Sequence, residues 1–126
     1  MDSHKILAGE ELVSVIIPTY NRSDMIVESI QSVLDQTYQN IEVIVVDNGS
    51  QDDTVLKVWQ LDDPRIRVFN EPKQGAAYAR NTGLRQAKGT VFTFLDSDDL
   101  WAPQKLVLQT KQLAEERSGT MIFSEF

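Results

Sequence analysis

The chain has 126 residues, a formal net charge of −7, 41% hydrophobic and 25% charged residues, no cysteine and one histidine. That composition suits one globular domain with its own core. It excludes disulfides and thiolate metal ligands, and it argues against nucleic-acid binding, because no basic stripe offsets the acidic balance. His4 lies in a polar N-terminal stretch, which speaks against a His-ligated zinc site and a Ser-His-Asp triad.

Residues 1–11 are polar and patternless, so a flexible tail is expected there, with the folded part over 12–126. VSVIIPTY, from Val13 to Tyr20, reads as a buried strand stopped by Pro18. SDMIVESIQSVLDQ follows with Ile26, Ile30, Val33 and Leu34 at helical spacing. IEVIVVD, Ile41 to Asp47, is a second β-branched strand. In SQDDTVLKVWQL, Ser50 and Asp53 have capping-box spacing, and Val55, Val58 and Trp59 form a candidate core face.

RIRVFN, Arg65 to Asn70, is a short strand. GAAYARNTGLRQAKG predicts a helix whose Ala76, Ala79, Gly83 and Ala87 let it lie close to a sheet, with Gly89 as its stop. TVFTFLD is the fourth strand. PQKLVLQTKQLAEERSG predicts a helix opened by Pro103 and closed by Gly119, and TMIFSEF a fifth strand. Alternating strands and helices predict an α/β fold: a mainly parallel sheet with helices on both faces. Ligands in such sheets bind beyond the carboxyl ends of the strands.

Polar residues gather at three of those ends: PTYNR, VDNGS and LDSDD. In the last, Asp96 and Asp98 would point the same way in an extended segment. Two like charges about 4 Å apart repel by about 1 kcal/mol in water and about 4 kcal/mol near a protein surface. Such a cluster suits a hard divalent cation, Mg2+ or Mn2+. From spacing alone, a solvated acidic start to the next helix is the commoner reading of such a triplet. Asp47 and Asn48 suit either a base or ribose edge or an ordinary strand-to-helix turn. Thr19 and Tyr20 offer a hydroxyl and a flat face to a nucleobase, or edge the core. Arg80 suits a phosphate or base contact, or a surface ion pair.

VSVIIPTYNR, IEVIVVDNGSQDDT, GAAYARNTGLRQAKG and FLDSDD, in this order, resemble the N-terminal half of a family 2 glycosyltransferase of the Rossmann-like GT-A fold. The resemblance spans about residues 12 to 126. It implies a UDP- or dTDP-sugar donor bound over the strand ends. Thr19 and Tyr20 would line the base pocket, Asp47 would sit beside it, and Arg80 would reach toward the base. Asp96 would face the ribose or the metal, Asp98 would be the main ligand of Mn2+ or Mg2+, and Asp99 would hold the loop. Many members carry an acid where this chain has Asn48; an amide both donates and accepts, so it can still read a base edge.

The family's second half binds the acceptor, a carbohydrate or a lipid-linked one, and supplies the general base. That base is therefore expected beyond Phe126, and the chain is expected to be a truncated, donor-binding fragment of an inverting enzyme, inactive in transfer by itself. The lack of a signal peptide, a membrane span and cysteine fits a cytoplasmic enzyme, peripheral at the membrane in full-length form. Exposed sheet edges predict self-association.

Other classes fit less well. A dehydrogenase needs G-x-G-x-x-G where PTYNRS stands, a nucleotidylyltransferase a Gly-rich basic loop there, and a receiver domain its acidic pair after strand one. A non-catalytic nucleotide-binding or structural α/β module is the alternative.

Overall fold

The computed structural model describes residues 11–116. Four strands and four helices alternate: β1 (Val13–Thr19), α1 (Ile26–Leu34), β2 (Ile41–Asp47), α2 (Thr54–Gln60), β3 (Ile66–Asn70), α3 (Ala76–Gln86), β4 (Val91–Phe94) and α4 (Lys105–Glu116). All pairings are parallel and the sheet order is β3-β2-β1-β4. The predicted strand TMIFSEF lies outside the described residues, as do Gly119 and the first ten residues. Glu11, placed at the end of the expected tail, is bonded: its carbonyl accepts from the Tyr38 hydroxyl.

The two faces follow from strand periodicity. Val13, Val15 and Ile17 of β1 and Val43 and Val45 of β2 pack with Ile26, Ile30 and Val33 of α1, Val58 of α2 and Leu106 of α4. Ile16, Ile44, Val46 and Phe94 turn to the other face, where Ala79 of α3 meets them. Right-handed crossovers require this split. The chain steps from β1 through β2 to β3 with α1 and α2 on one face. It then reverses past β1 to β4, which puts α3 on the opposite face.

α3 must cross the sheet close to its backbone. A Cβ on Gly83 would sit 2.4 Å from Ile16 Cγ2, so the helix approaches to a distance that only glycine permits here. Of the small face read from sequence, Ala79 and Gly83 are buried, Ala76 is exposed and Ala87 half-buried.

Several local expectations differ from the structure. β1 does not stop at Pro18 but runs through it to Thr19. Pro18 shares its side of the strand with Ile16, whose carbonyl accepts from Leu95 N–H. β4 ends at Phe94, so Pro18 faces no ladder acceptor that needs its missing N–H. Ser50 does not open α2; the helix begins at Thr54, and Asp53 at the cap makes no side-chain capping bond. Asp52 accepts from Thr54 N–H instead. Trp59, read as core, is 60% exposed, because the burial at Thr54 and Val58 turns it outward. Gly89 is not the stop of α3, which ends at Gln86; its N–H donates to Ser14 Oγ at 2.9 Å and leads into β4.

At the amino end of the sheet, buried Glu42 ties the layers together. Its carboxylate accepts from Ser14 Oγ (2.6 Å), Lys88 N–H (2.6 Å) and Arg67 Nη2 (2.7 Å), and Arg67 also donates to Gln86 O. Burial pushes the Glu42 carboxyl up, but the Ser14, Lys88 and Arg67 donors outweigh it and hold it below the usual range. A depressed folded pKa stabilises above the unfolded value and is lost on acidification. The melting temperature should therefore fall once the pH drops below about 4.5. Glu42→Gln should lower it at neutral pH and flatten that acid slope in a calorimetric pH series.

Gly83→Ala should also destabilise. Overpacking costs about 1–3 kcal/mol, and the gain in helix propensity offsets only about 1 kcal/mol of that. Thermal melts should show a drop of several degrees.

Candidate functional site

Thr19, Asp47, Asn70 and Phe94 end the four strands on one edge of the sheet. Thr19 and Asp47 are register partners, and Asn48 N–H donates to Thr19 O at 2.9 Å. β1 and β4 stay paired only as far as Ile16 and Phe94. The strand order reverses at this pair, which sets the β1–α1 and β4–α4 loops at the kind of position where sheets of this topology take ligands.

The acidic triplet lies in the β4–α4 loop. It is not extended: residues 96–99 form a turn closed by Asp99 N–H to Asp96 O at 3.0 Å. The turn still gathers the carboxylates, and one oxygen each from Asp96, Asp98 and Asp99 lies within 4.8 Å of the others. Arg80 reaches them from α3, with Nη2 3.8 Å from Asp96 Oδ1 and its guanidinium over the Phe94 ring. Arg22 reaches them from the β1–α1 loop, with Nη2 3.7 Å from Asp98 Oδ2.

α1 and the residues just after it pin this loop through a polar stripe. Ser29 Oγ donates to Ser97 O (2.9 Å), Ser32 Oγ accepts from Trp101 N–H (3.1 Å), and Gln36 bonds Ala102 O (2.7 Å) and Leu106 N–H (3.0 Å). Sequence reasoning missed Arg22 in this role, and it missed Ser29, Ser32 and Gln36. Their signal was a polar row at 29, 32 and 36, helical spacing on a helix otherwise read for its apolar face.

The second strand end is built inward. Asp47 Oδ2 accepts from Gly49 N–H (3.1 Å) and Ser50 N–H (2.9 Å), and its Oδ1 from Ser50 Oγ (2.5 Å). Asn48 is also buried. Its Nδ2 donates to Glu71 O (2.8 Å) and Lys73 O (2.7 Å), its Oδ1 accepts from Gly75 N–H (3.0 Å), and its carbonyl accepts from Gln74 Nε2. Both amide hydrogens are therefore engaged, so Asn48 has no donor left for a base edge. Instead it holds the start of α3, where Gly75 has φ 134°, a region that favours glycine.

Glu71 extends that fastening. Its carboxylate accepts from the Thr82 hydroxyl and from Lys73 N–H, and these bonds hold it below the usual carboxylate range. Thr19 is 3% exposed, and its Oγ1 has no hydrogen-bond partner among the described residues. Tyr20 is 47% exposed and presents its ring at the edge. The structure thus joins Arg22, Arg80, Asp96, Asp98 and Asp99 in one cluster and sets Thr19, Tyr20, Asp47 and Asn48 on the adjacent strand ends.

A parallel sheet whose strand order reverses at β1, with helices on both faces, is the Rossmann-like kind of α/β protein. The model of Glycosyl transferase family 2 matches residues 14–124, so the chain belongs to that family. It is 46% identical over 111 residues to the Escherichia coli UDP-Glc:alpha-D-GlcNAc-diphosphoundecaprenol beta-1,3-glucosyltransferase WfgD, with 87% of this chain and 44% of that protein covered. It is 38% identical over 119 residues to the Streptococcus pneumoniae glycosyltransferase GlyG, with 92% and 39% covered.

Among solved structures, the mannosyltransferase PcManGT from Pyrobaculum calidifontis, in complex with GDP-Man and Mn2+, superposes with a TM-score of 0.76 at 34% identity. That match covers 86% of this chain and 34% of the neighbour. S. aureus TarS 1–349 in complex with UDP-GlcNAc gives a TM-score of 0.76 at 32% identity, covering 84% of this chain and 32% of TarS. The chain thus spans less than half the length of these relatives. It has the fold of part of a GT-A glycosyltransferase, and no described helix is long and apolar enough to cross a membrane.

Asn48→Asp tests the inward role. It keeps the acceptor for Gly75 but sets a second oxygen against the Glu71 and Lys73 carbonyls. Losing those bonds should cost about 1–3 kcal/mol, read as a lower melting temperature.

Proposed function

We propose that residues 12–126 are the donor-binding part of a metal-dependent, inverting glycosyltransferase, taking the nucleoside diphosphate of a sugar donor over the strand ends. One observation carries this reading: three carboxylates converge where β1 and β4 diverge, in a member of a glycosyltransferase family. The neighbour complex with GDP-Man and Mn2+ and the TarS complex with UDP-GlcNAc support it.

The donor set fits a hard cation. Asp96, Asp98 and Asp99 offer carboxylate oxygens, the type that Mn2+ and Mg2+ favour. Asp98 and Asp96 would hold the ion, and Asp99 would close the turn. When bound, a divalent cation offsets the charge of a departing diphosphate.

The other residues bind and orient. Tyr20 offers an exposed ring face to the nucleobase, with Thr19 behind it. Asp47 shapes the 47–50 turn beside the base and retains acceptor capacity toward base or ribose. Arg80 steadies Asp96 and lies within reach of the donor. Asn48 orients the start of α3, and through it Arg80. UDP- and dTDP-sugars are the first donors to consider, and a GDP-sugar the next.

In the full-length enzyme, the hydroxyl of a carbohydrate or lipid-linked acceptor would attack the anomeric carbon with inversion, while a general base takes its proton. That base would come from the remainder of the enzyme. The lipid-diphosphate named for the WfgD relative favours a cytoplasmic enzyme working at the membrane surface.

Calorimetric titration of UDP into the folded chain, with and without Mn2+, tests the reading. Saturable binding that requires Mn2+, and is abolished by Asp98→Ala without loss of the thermal transition, is the expected result. The chain alone should transfer no sugar. If UDP, dTDP and GDP all fail to bind in Mn2+, the donor reading fails and the non-catalytic module takes its place.

A further inference from the structure

The two carboxylates assigned above to a cation are each faced by a guanidinium. Arg80 approaches Asp96 from α3, on one face of the sheet, and Arg22 approaches Asp98 from the β1–α1 loop, at 3.8 and 3.7 Å. Both separations exceed the roughly 2.7–2.9 Å of a charge-assisted hydrogen bond. The side chains of Arg22 and Asp98 are 45% and 50% exposed, so their attraction is screened and weak. Such a pair exchanges partners readily.

The base from which Arg22 reaches is fixed. Its N–H donates to Thr54 Oγ1 at 2.9 Å, and its carbonyl accepts from Met25 N–H (3.0 Å) and Ile26 N–H (2.8 Å). The preceding Asn21 has φ 51°, donates its N–H to Ser50 Oγ (2.8 Å) and accepts from Gln51 N–H (2.8 Å) through Oδ1. Three elements, α1, α2 and the 47–53 loop, thus hold the backbone while the half-exposed guanidinium reaches toward Asp98. A residue built this way delivers a positive charge to one place without fastening it to one partner.

A divalent cation on Asp98 would repel that charge. The guanidinium would then need an anion within its own reach, and the cation brings one if it carries a diphosphate. Arginine's planar fork suits phosphate oxygens. We propose that Arg22 is a diphosphate-binding residue which serves as the counter-cation of Asp98 until a divalent ion replaces it. This rests on the donor reading above and adds to it a residue with two partners in sequence.

The test uses the full 126-residue chain as wild type, Arg22→Gln and Arg22→Lys, with melts to confirm folding. Mn2+ binding alone is read from the electron paramagnetic resonance of the free ion. Binding of the nucleoside diphosphate that the wild type accepts is read by calorimetry in saturating Mn2+. Arg22→Gln should leave Mn2+ affinity unchanged or raise it about two- to fivefold, as removal of an exposed ion-pair competitor would. It should weaken the diphosphate by about 10- to 100-fold, the range for a hydrogen bond to a charged group. Arg22→Lys should recover part of that loss.

A merely structural Arg22 would lower both affinities together, and that result overturns the proposal. So does unchanged diphosphate affinity in Arg22→Gln. A wild-type chain that binds none of UDP, dTDP and GDP overturns the donor reading and this proposal with it. A wild type that binds, beside an unaffected Arg22→Gln, overturns this proposal alone.

Discussion

The reversal of strand order at β1 is the constraint on which the rest depends. Two right-handed crossovers carry the chain from β1 to β2 to β3 on one face. The third must return past β1 to reach β4, and only the opposite face is open to it. That return makes α3 lie over β1 and β2, which forces Gly83 against Ile16. It also brings the carboxyl ends of β1 and β4 side by side with loops that leave in different directions. This reversal point is a consequence of chain direction, and the residues around it are what this sequence does with that consequence.

Holding three carboxylates in one turn requires restraint from outside the turn. On one face, Ser29 and Ser32 of α1 and Gln36 just after it bond the backbone of the 97–106 segment, so the loop cannot relax away from its own charge. On the other face, Asn48 and Glu71 fix the entry to α3 and thereby the helix that carries Arg80. The screening cations, Arg22 and Arg80, come one from each side. Neutral hydrogen bonds to backbone do the positioning, and the charged groups stay loosely paired and half-exposed. Weak pairing of this kind is what lets a site take up another ion.

Most of the architecture was legible because it rests on periodicity and chain direction. IEVIVVD coincides with β2, and α1 buries Ile26, Ile30, Val33 and Leu34 as their spacing requires. What could not be read depends on partners distant in sequence. Pro18 looks like a strand stop until β4 is known to end before it can pair there. Ser50 and Asp53 match a cap, but Ser50 is taken by Asp47 and Asn21 across a turn and a loop. Trp59 looks like core by type alone; only its angular place relative to Thr54 and Val58 turns it outward. At the site, DSDD was legible as a cluster and Arg80 as a candidate beside it, whereas the turn, the role of Arg22 and the pairing of each arginine with its carboxylate were not, because both arginines arrive from more than a dozen residues away.

Asp47 and Asn48 extend the same point to function. Polar residues at a strand end read as ligand contacts because they sit where ligands bind. Yet the chain must first pair the N–H and carbonyl groups that the ladder leaves behind. Here Asp47 closes the 47–50 turn and Asn48 bonds Glu71, Lys73 and Gly75. An amide suits that second task better than a carboxylate, since it must donate twice to carbonyls and accept once from an N–H. Asn48 is therefore accounted for by the chain's own backbone. The recognition of a base at this edge then falls to Tyr20, to the remaining acceptor capacity of Asp47, and to whatever α3 carries into reach once Asn48 has set its start.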